Sequence, residues 1–198
     1  MQIVQYPHPS LRWKSSDVAR IDAELREIVQ AMFDLMYAAK GIGLAANQVA
    51  LPLRLFIMNP SGDPAELDSE FVFINPEIIG RKGSALGEEG CLSLPDLYAD
   101  VRRPEQITVE AYDLEGQGFE MTLDDLPARV VQHELDHVDG VLFIDRVSDS
   151  IQREIAPQLA DFEAIFRRQQ ETGKIPSDAA LRADLQSKAI KLTQEPVR

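Results

Sequence analysis

The sequence predicts an α+β fold: short, mostly antiparallel strands packed around a central helix, flanked by N- and C-terminal helices. Three observations lead there. A clean helical period runs through residues 22–40, short β-branched and aromatic runs separated by turn residues fill the middle, and a second helical stripe follows them. The 198 residues suit one domain, or one domain plus an appendage.

Residues 1–20 are mixed, with Pro7 and Pro9, and read as an irregular arm on the body. From Ile21 the period turns helical: Leu25, Val29, Met32 and Met36 recur every three or four residues, with Asp22 as N-cap and Gly41 placed as a C-cap glycine. The stretch GIGLAANQVA, 41–50, has two glycines that allow close backbone approach. Strands are expected at 53–58, 71–74 and 78–80, whereas 84–95 is Gly-rich and less regular. Two further strands, 107–112 and 119–123, flank a turn at 113–118. A second helix starts at 122–125, where Thr122 and Asp125 have capping-box spacing, and ends near Gly140. A third begins near 148–151 and meets Pro157, which interrupts or kinks it. Beyond Arg167 the pattern weakens, so the expected division is a catalytic domain over 1–166 and a partly ordered extension over 167–198.

Charge narrows the function classes. The net charge of −13 disfavours general binding to nucleic acid or an anionic membrane. Residues 167–198 run the other way, with seven Lys/Arg against four Asp/Glu. One cysteine forbids an intrachain disulfide, which fits a reducing compartment. No signal-like or membrane-spanning run is visible, so the expected location is the cytoplasm.

The strongest chemical signal is His133-Glu134-Leu135-Asp136-His137. Four residues apart on a helix, both imidazoles share one face and can bind one metal, with Glu134 placed as general base. A catalytic metal usually takes three protein ligands and keeps one position open. The third is either Cys91 or a downstream acid such as Glu154, Asp161 or Glu163, as in a zincin-like peptidase.

Three segments bear on that choice: Gly41-Ile42-Gly43-Leu44-Ala45-Ala46-Asn47-Gln48, Glu89-Gly90-Cys91-Leu92-Ser93, and Gln132-His133-Glu134-Leu135-Asp136-His137. In this order they resemble the GxGLAAxQ, EGCLS and QHExDH motifs of the peptide deformylase family, and the likeness covers residues 1–165. It implies Cys91, His133 and His137 as metal ligands and iron(II) as the metal, with Zn²⁺, Ni²⁺ or Co²⁺ also suited to such a donor set. It implies hydrolysis of the formyl group from formyl-methionine on nascent peptides, releasing formate. Glu134 would be the base, and the Gln48 amide and Leu92 N–H the oxyanion donors. The backbone at Gly43 and Gly90 would pair with the extended substrate. Ile42, Leu126, Val130 and the His133 ring are candidates for an apolar pocket for methionine.

Three lesser expectations complete the reading. Glu89 and Arg103 could pair to orient His133 or the loop holding Cys91, although a surface ion pair is the commoner arrangement. The basic tail suits docking at the ribosome exit. A deformylase-like protein that binds without catalysis is a further alternative, against which stands the presence of Glu134 and all three ligands.

Overall fold

The computed structural model describes residues 1–193; Glu195 and Arg198 of the predicted basic tail lie outside the described residues. Four helices and seven strands follow one another as α1 (Ala23–Ala38), β1 (Gly43–Ala45), β2 (Leu55–Met58), β3 (Phe71–Lys82), β4 (Ala85–Cys91), β5 (Leu94–Arg103), β6 (Gln106–Tyr112), β7 (Gly118–Asp124), α2 (Asp125–Val138), α3 (Asp149–Glu171) and α4 (Asp178–Thr193). The expected α+β architecture is the one observed. All strand ladders are antiparallel: a five-stranded sheet in the order β1-β2-β3-β6-β7 and a separate hairpin, β4-β5.

The core explains why α2 is central. One cluster joins Val130, Val131, Leu135 and Val138 of α2 to Phe56, Met58, Phe73 and Val109 of the sheet. A second packs α1 through Leu25, Val29, Met32 and Met36 against Leu44, Leu55, Ile57 and Ile74. A third joins the β5 face, Leu94, Leu97, Ala99 and Val101, to Leu142, Phe143 and Ile155. Helix α2 is therefore enclosed, and every residue from Val130 to Val138 is buried. Its HELDH segment sits inside the protein because sheet and hairpin close around it.

Several local expectations are corrected. Helix α1 ends at Ala38, and Lys40, not Gly41, takes the left-handed conformation (φ 57°). The Gly41 N–H instead donates to the Met36 carbonyl at 2.9 Å, a bond that closes the helix end one position earlier. Thr122 does not cap α2, because it lies in β7 and its hydroxyl meets that of Thr108 across the sheet at 3.1 Å. Strand pairing consumed the residue that local spacing had assigned to a cap. The Gly-rich stretch 84–95 is mostly β4, held by its register with β5 from Ala85↔Arg103 to Gly90↔Tyr98. Cross-strand pairing outweighs the low strand propensity of its glycines. Segments 71–74 and 78–80 form one strand, β3, with register shifts on either side of Glu77–Ile78. Pro157 lies inside a continuous α3, which also runs through residue 166, and residues 178–193 form a helix where the pattern had weakened.

The N-terminal arm is extended apart from a short 3-10 turn at Pro9–Arg12. It is tied down by Val4 N–H donating to the Gln48 carbonyl (2.8 Å) and Tyr6 N–H to the Ser93 carbonyl (2.9 Å). No described helix is long and apolar enough to cross a membrane.

Candidate metal centre

Helical spacing on α2 puts His133 and His137 one turn apart, with ring centroids separated by 4.9 Å. The β4-β5 hairpin brings the third group. Cys91 pairs with Leu94 across a two-residue tip, Leu92-Ser93. Among the described residues Cys91, His133 and His137 are grouped so that one potential ligand atom from each lies within 4.8 Å of the others. Cys91 Sγ is 3.2 Å from His137 Nε2 and accepts the Ser93 backbone N–H at 3.4 Å. The downstream acids are elsewhere: Glu154, Asp161 and Glu163 are exposed on α3, and Glu163 accepts from the Tyr6 hydroxyl at 2.8 Å.

The donor chemistry fits a divalent metal. His133 Nδ1 faces Glu89 Oε2 at 3.0 Å, which leaves Nε2 for the centre. Metal-ligating histidines usually have their other ring nitrogen held by a carboxylate in this way. Burial opposes charge on His133, but the bonds to Cys91 and Glu89 outweigh it and hold the ring well above the usual histidine range. A metal bound by this thiolate and imidazole set would take the place of a proton on the ring. His137, by contrast, is held well below its usual range by burial and by the neighbouring His133.

Glu134 is the next residue on α2 and lines the same cleft as His133, Cys91 and Gln48. Burial pushes its carboxyl up to about 7. Its Oε2 is buried with no hydrogen-bond partner among the described residues. A buried carboxylate oxygen left unpaired is costly, on the order of 1–3 kcal/mol, and marks a group kept for a ligand or a reaction. The close wall on the other side is Gly43: a Cβ there would lie 2.5 Å from Glu134 Oε1 and 2.9 Å from Val130 Cγ1. Only glycine lets β1 pass so near the carboxylate.

The cleft measures about 700 Å³. Ile42, Gly43, Gln48, Gly90, Leu92, Leu126 and Val130 all line it, as the sequence had grouped them. The Gln48 side chain is fixed at its oxygen, where Oε1 accepts the Ala45 N–H at 2.7 Å. Its amide nitrogen then faces Ser93 Oγ (3.3 Å) and Cys91 Sγ (3.5 Å).

The sequence undervalued a buried charge network. Glu89 and Arg103 are 6% and 4% exposed, so the pair is internal, not at the surface. Arg103 donates to both Glu89 oxygens (2.6 and 2.8 Å) and to Asp136 (2.8 Å). Arg129 adds a bond to Glu89 at 2.8 Å, and Arg146 pairs with Asp136. Burial would raise Glu89, but Arg103 and His133 outweigh it and keep it ionised well below the usual carboxylate range. The network links the hairpin carrying Cys91 to the helix carrying both histidines. Arg129 and Arg146 carried no signal in the sequence, because their partners lie 40 and 10 residues away.

Comparison with known proteins agrees with this geometry. The family model described as polypeptide deformylase matches residues 1–153. A peptide deformylase of Rhodopirellula baltica is 44% identical over 181 residues, covering 91% of this chain and 90% of that protein. The chloroplastic/mitochondrial peptide deformylase 1B of Arabidopsis thaliana is 41% identical, covering 96% of this chain and 68% of its own length. Among solved structures, Plasmodium falciparum peptide deformylase superposes with a TM-score of 0.82 at 35% identity, covering 84% of this chain and 98% of that one. Arabidopsis thaliana peptide deformylase 1B with a bound inhibitor gives 0.81 at 43% identity, covering 89% and 96%. A matching family model, a relative 44% identical over most of both chains, a matching fold and a Cys/His/His donor set lead to one conclusion: this chain belongs to the polypeptide deformylase family of metal-dependent hydrolases.

Proposed function

We propose that the chain removes the N-formyl group from formyl-methionine at the N-terminus of nascent polypeptides, with Fe²⁺ held by Cys91, His133 and His137. The observation that carries this reading is Glu134 Oε2, unpartnered among the described residues, in a cleft beside three convergent metal donors. When bound, the metal supplies Lewis acidity, which lowers the pKa of water and polarises the formyl oxygen.

The residues do the rest. Glu134 accepts a proton from the attacking water as its oxygen bonds to the formyl carbon. Gln48 Nε2 and the Leu92 N–H donate to the oxygen that becomes negative, each such donor contributing on the order of 3 kcal/mol. The C–N bond then breaks, and Glu134 returns the proton to the leaving amine, giving formate and a free N-terminus. The backbone of Gly43 and Gly90 pairs with the extended substrate, while Ile42, Leu126, Val130 and the His133 ring receive the methionine side chain. Arg103 and Glu89 hold His133 in its ligating orientation.

We assign the catalytic unit to 1–166 and regard 167–198 as an extension. We assign the enzyme to the cytoplasm, with no membrane partner and no sequence-specific nucleic-acid binding. Arg168, Lys174 and Arg182 are exposed on the extension and suit ribosome docking, although Arg167, Lys188 and Lys191 pair with Asp178, Asp184 and Glu24. Unchanged ribosome co-sedimentation at low salt after replacing Arg168, Lys174 and Arg182 together with alanine would remove that assignment.

The test is anaerobic formate release from a formyl-Met peptide with Fe²⁺. Turnover of the formyl peptide, with none of an internal peptide bond, is expected. Cys91→Ala should abolish metal retention; retention would favour the zincin-like reading. Glu134→Gln should keep the metal and lose about 10²–10⁴ in kcat. Metal binding with no turnover in the unaltered chain would favour a non-catalytic protein.

A further inference from the structure

Ser93 is fully buried at the tip of the β4-β5 hairpin, and three separate parts of the site converge on it. Its N–H donates to Cys91 Sγ (3.4 Å), its carbonyl accepts the Tyr6 N–H (2.9 Å), and its Oγ accepts from Gln48 Nε2 (3.3 Å). The first two are backbone contacts, which any residue could make. The third needs a hydroxyl.

That third contact has a consequence for Gln48. The Ala45 N–H at 2.7 Å fixes which side of the amide is oxygen, so the NH₂ group must face the hairpin tip. Fixing the oxygen does not fix the amide plane, because the terminal torsion of glutamine is broad. Within reach of Nε2 are Ser93 Oγ and Cys91 Sγ. An amide nitrogen has two hydrogens. With one given to Ser93 Oγ, the second is directed by the plane of the group, on the side where Cys91 Sγ lies at 3.5 Å; without Ser93, that plane is free to turn. The main chain on both sides is pinned by the N-terminal arm, since Val4 donates to the Gln48 carbonyl and Tyr6 to the Ser93 carbonyl.

We propose that Ser93 is a positioning residue whose hydroxyl orients the Gln48 amide so that its second N–H faces the developing oxyanion. The proposal rests on the reading of Gln48 as an oxyanion donor. Removing such a donor outright costs about 10²–10³ in kcat. Ser93→Ala leaves the donor in place but unaligned, so a smaller loss of about tenfold in kcat is expected, with KM within about twofold, because ground-state binding is untouched.

The decisive measurement is a double-mutant cycle in the Fe²⁺-loaded enzyme with a formyl-Met peptide. Wild-type turnover is recorded first; its absence overturns the proposed function, not the role of Ser93. Given turnover, Ser93→Ala in a Gln48→Ala background should cause no further loss, since its only route of action is gone. Losses that multiply would overturn the proposal, as would a Ser93→Ala kcat within twofold of wild type. Ser93→Thr, which keeps the hydroxyl, should recover most of the rate; a rate as low as that of Ser93→Ala would also overturn it. Ser93→Gly removes the same hydroxyl and carries the cycle if the alanine variant does not fold.

Discussion

Replacing Gly43 with alanine adds one methyl group, yet its expected effect falls on the reaction. The new Cβ would stand 2.5 Å from Glu134 Oε1, whereas ordinary contact begins near 3.4 Å, so the carboxylate must retreat by about 0.9 Å. The methyl cannot swing away, because Val130 Cγ1 bounds it at 2.9 Å. A misplacement of about 1 Å in a reacting group costs about 100-fold in rate, equivalent to about 2.7 kcal/mol of barrier. Overpacking also costs about 1–3 kcal/mol of stability. None of the clashing atoms belongs to a metal ligand, so metal content should stay at one per chain. The assay is steady-state formate release beside metal analysis and a melting curve. A folded, metal-loaded Gly43→Ala enzyme with kcat within threefold of wild type would refute the assignment of Glu134 as the base held at that wall.

Two further outcomes follow from buried charge. Arg103→Ala leaves Glu89 and Asp136 without their shared partner. Breaking a buried pair by removing one member costs about 3–5 kcal/mol. At about 2–4 °C per kcal/mol for a chain of this size, Tm should fall by roughly 10 °C, measured by calorimetry on metal-loaded protein. His8 offers a pH test away from the metal centre. Burial, and next the Lys188 charge, lower its pKa from 6.5 to about 4. The folded value lies below the unfolded one, so the unfolded chain takes up the proton first. This contribution to stability is complete above pH 6.5 and is lost as the pH falls towards 4, amounting to about 2.5 kcal/mol by pH 4.5. Urea titrations at pH 7.5 and 4.5 should show His8→Leu losing less stability on acidification than wild type by about that amount; equal losses would contradict it.

The sequence by itself determined the local periods and the chemistry they carry. Helix α1, the β6-β7 hairpin and the HELDH stripe were legible because their signals repeat over two to seven residues, the range in which side chains on one face meet. The motif segments likewise grouped Gly43, Gln48, Gly90, Cys91 and His133 before their proximity was visible. Local spacing misled wherever a distant partner competed: Thr122 was drawn into β7, and the glycines near Cys91 were drawn into β4.

Only the tertiary structure decided which acids and arginines are buried. Burial depends on what covers a residue, and Glu89 is covered by Arg103 and Arg129, 14 and 40 residues away. The same holds for Ser93, an unremarked serine until the N-terminal arm, Gln48 and Cys91 meet around it. A sequence records which groups a chain owns. Their charge state, orientation and reach follow from the solvent they lose when the chain closes over them.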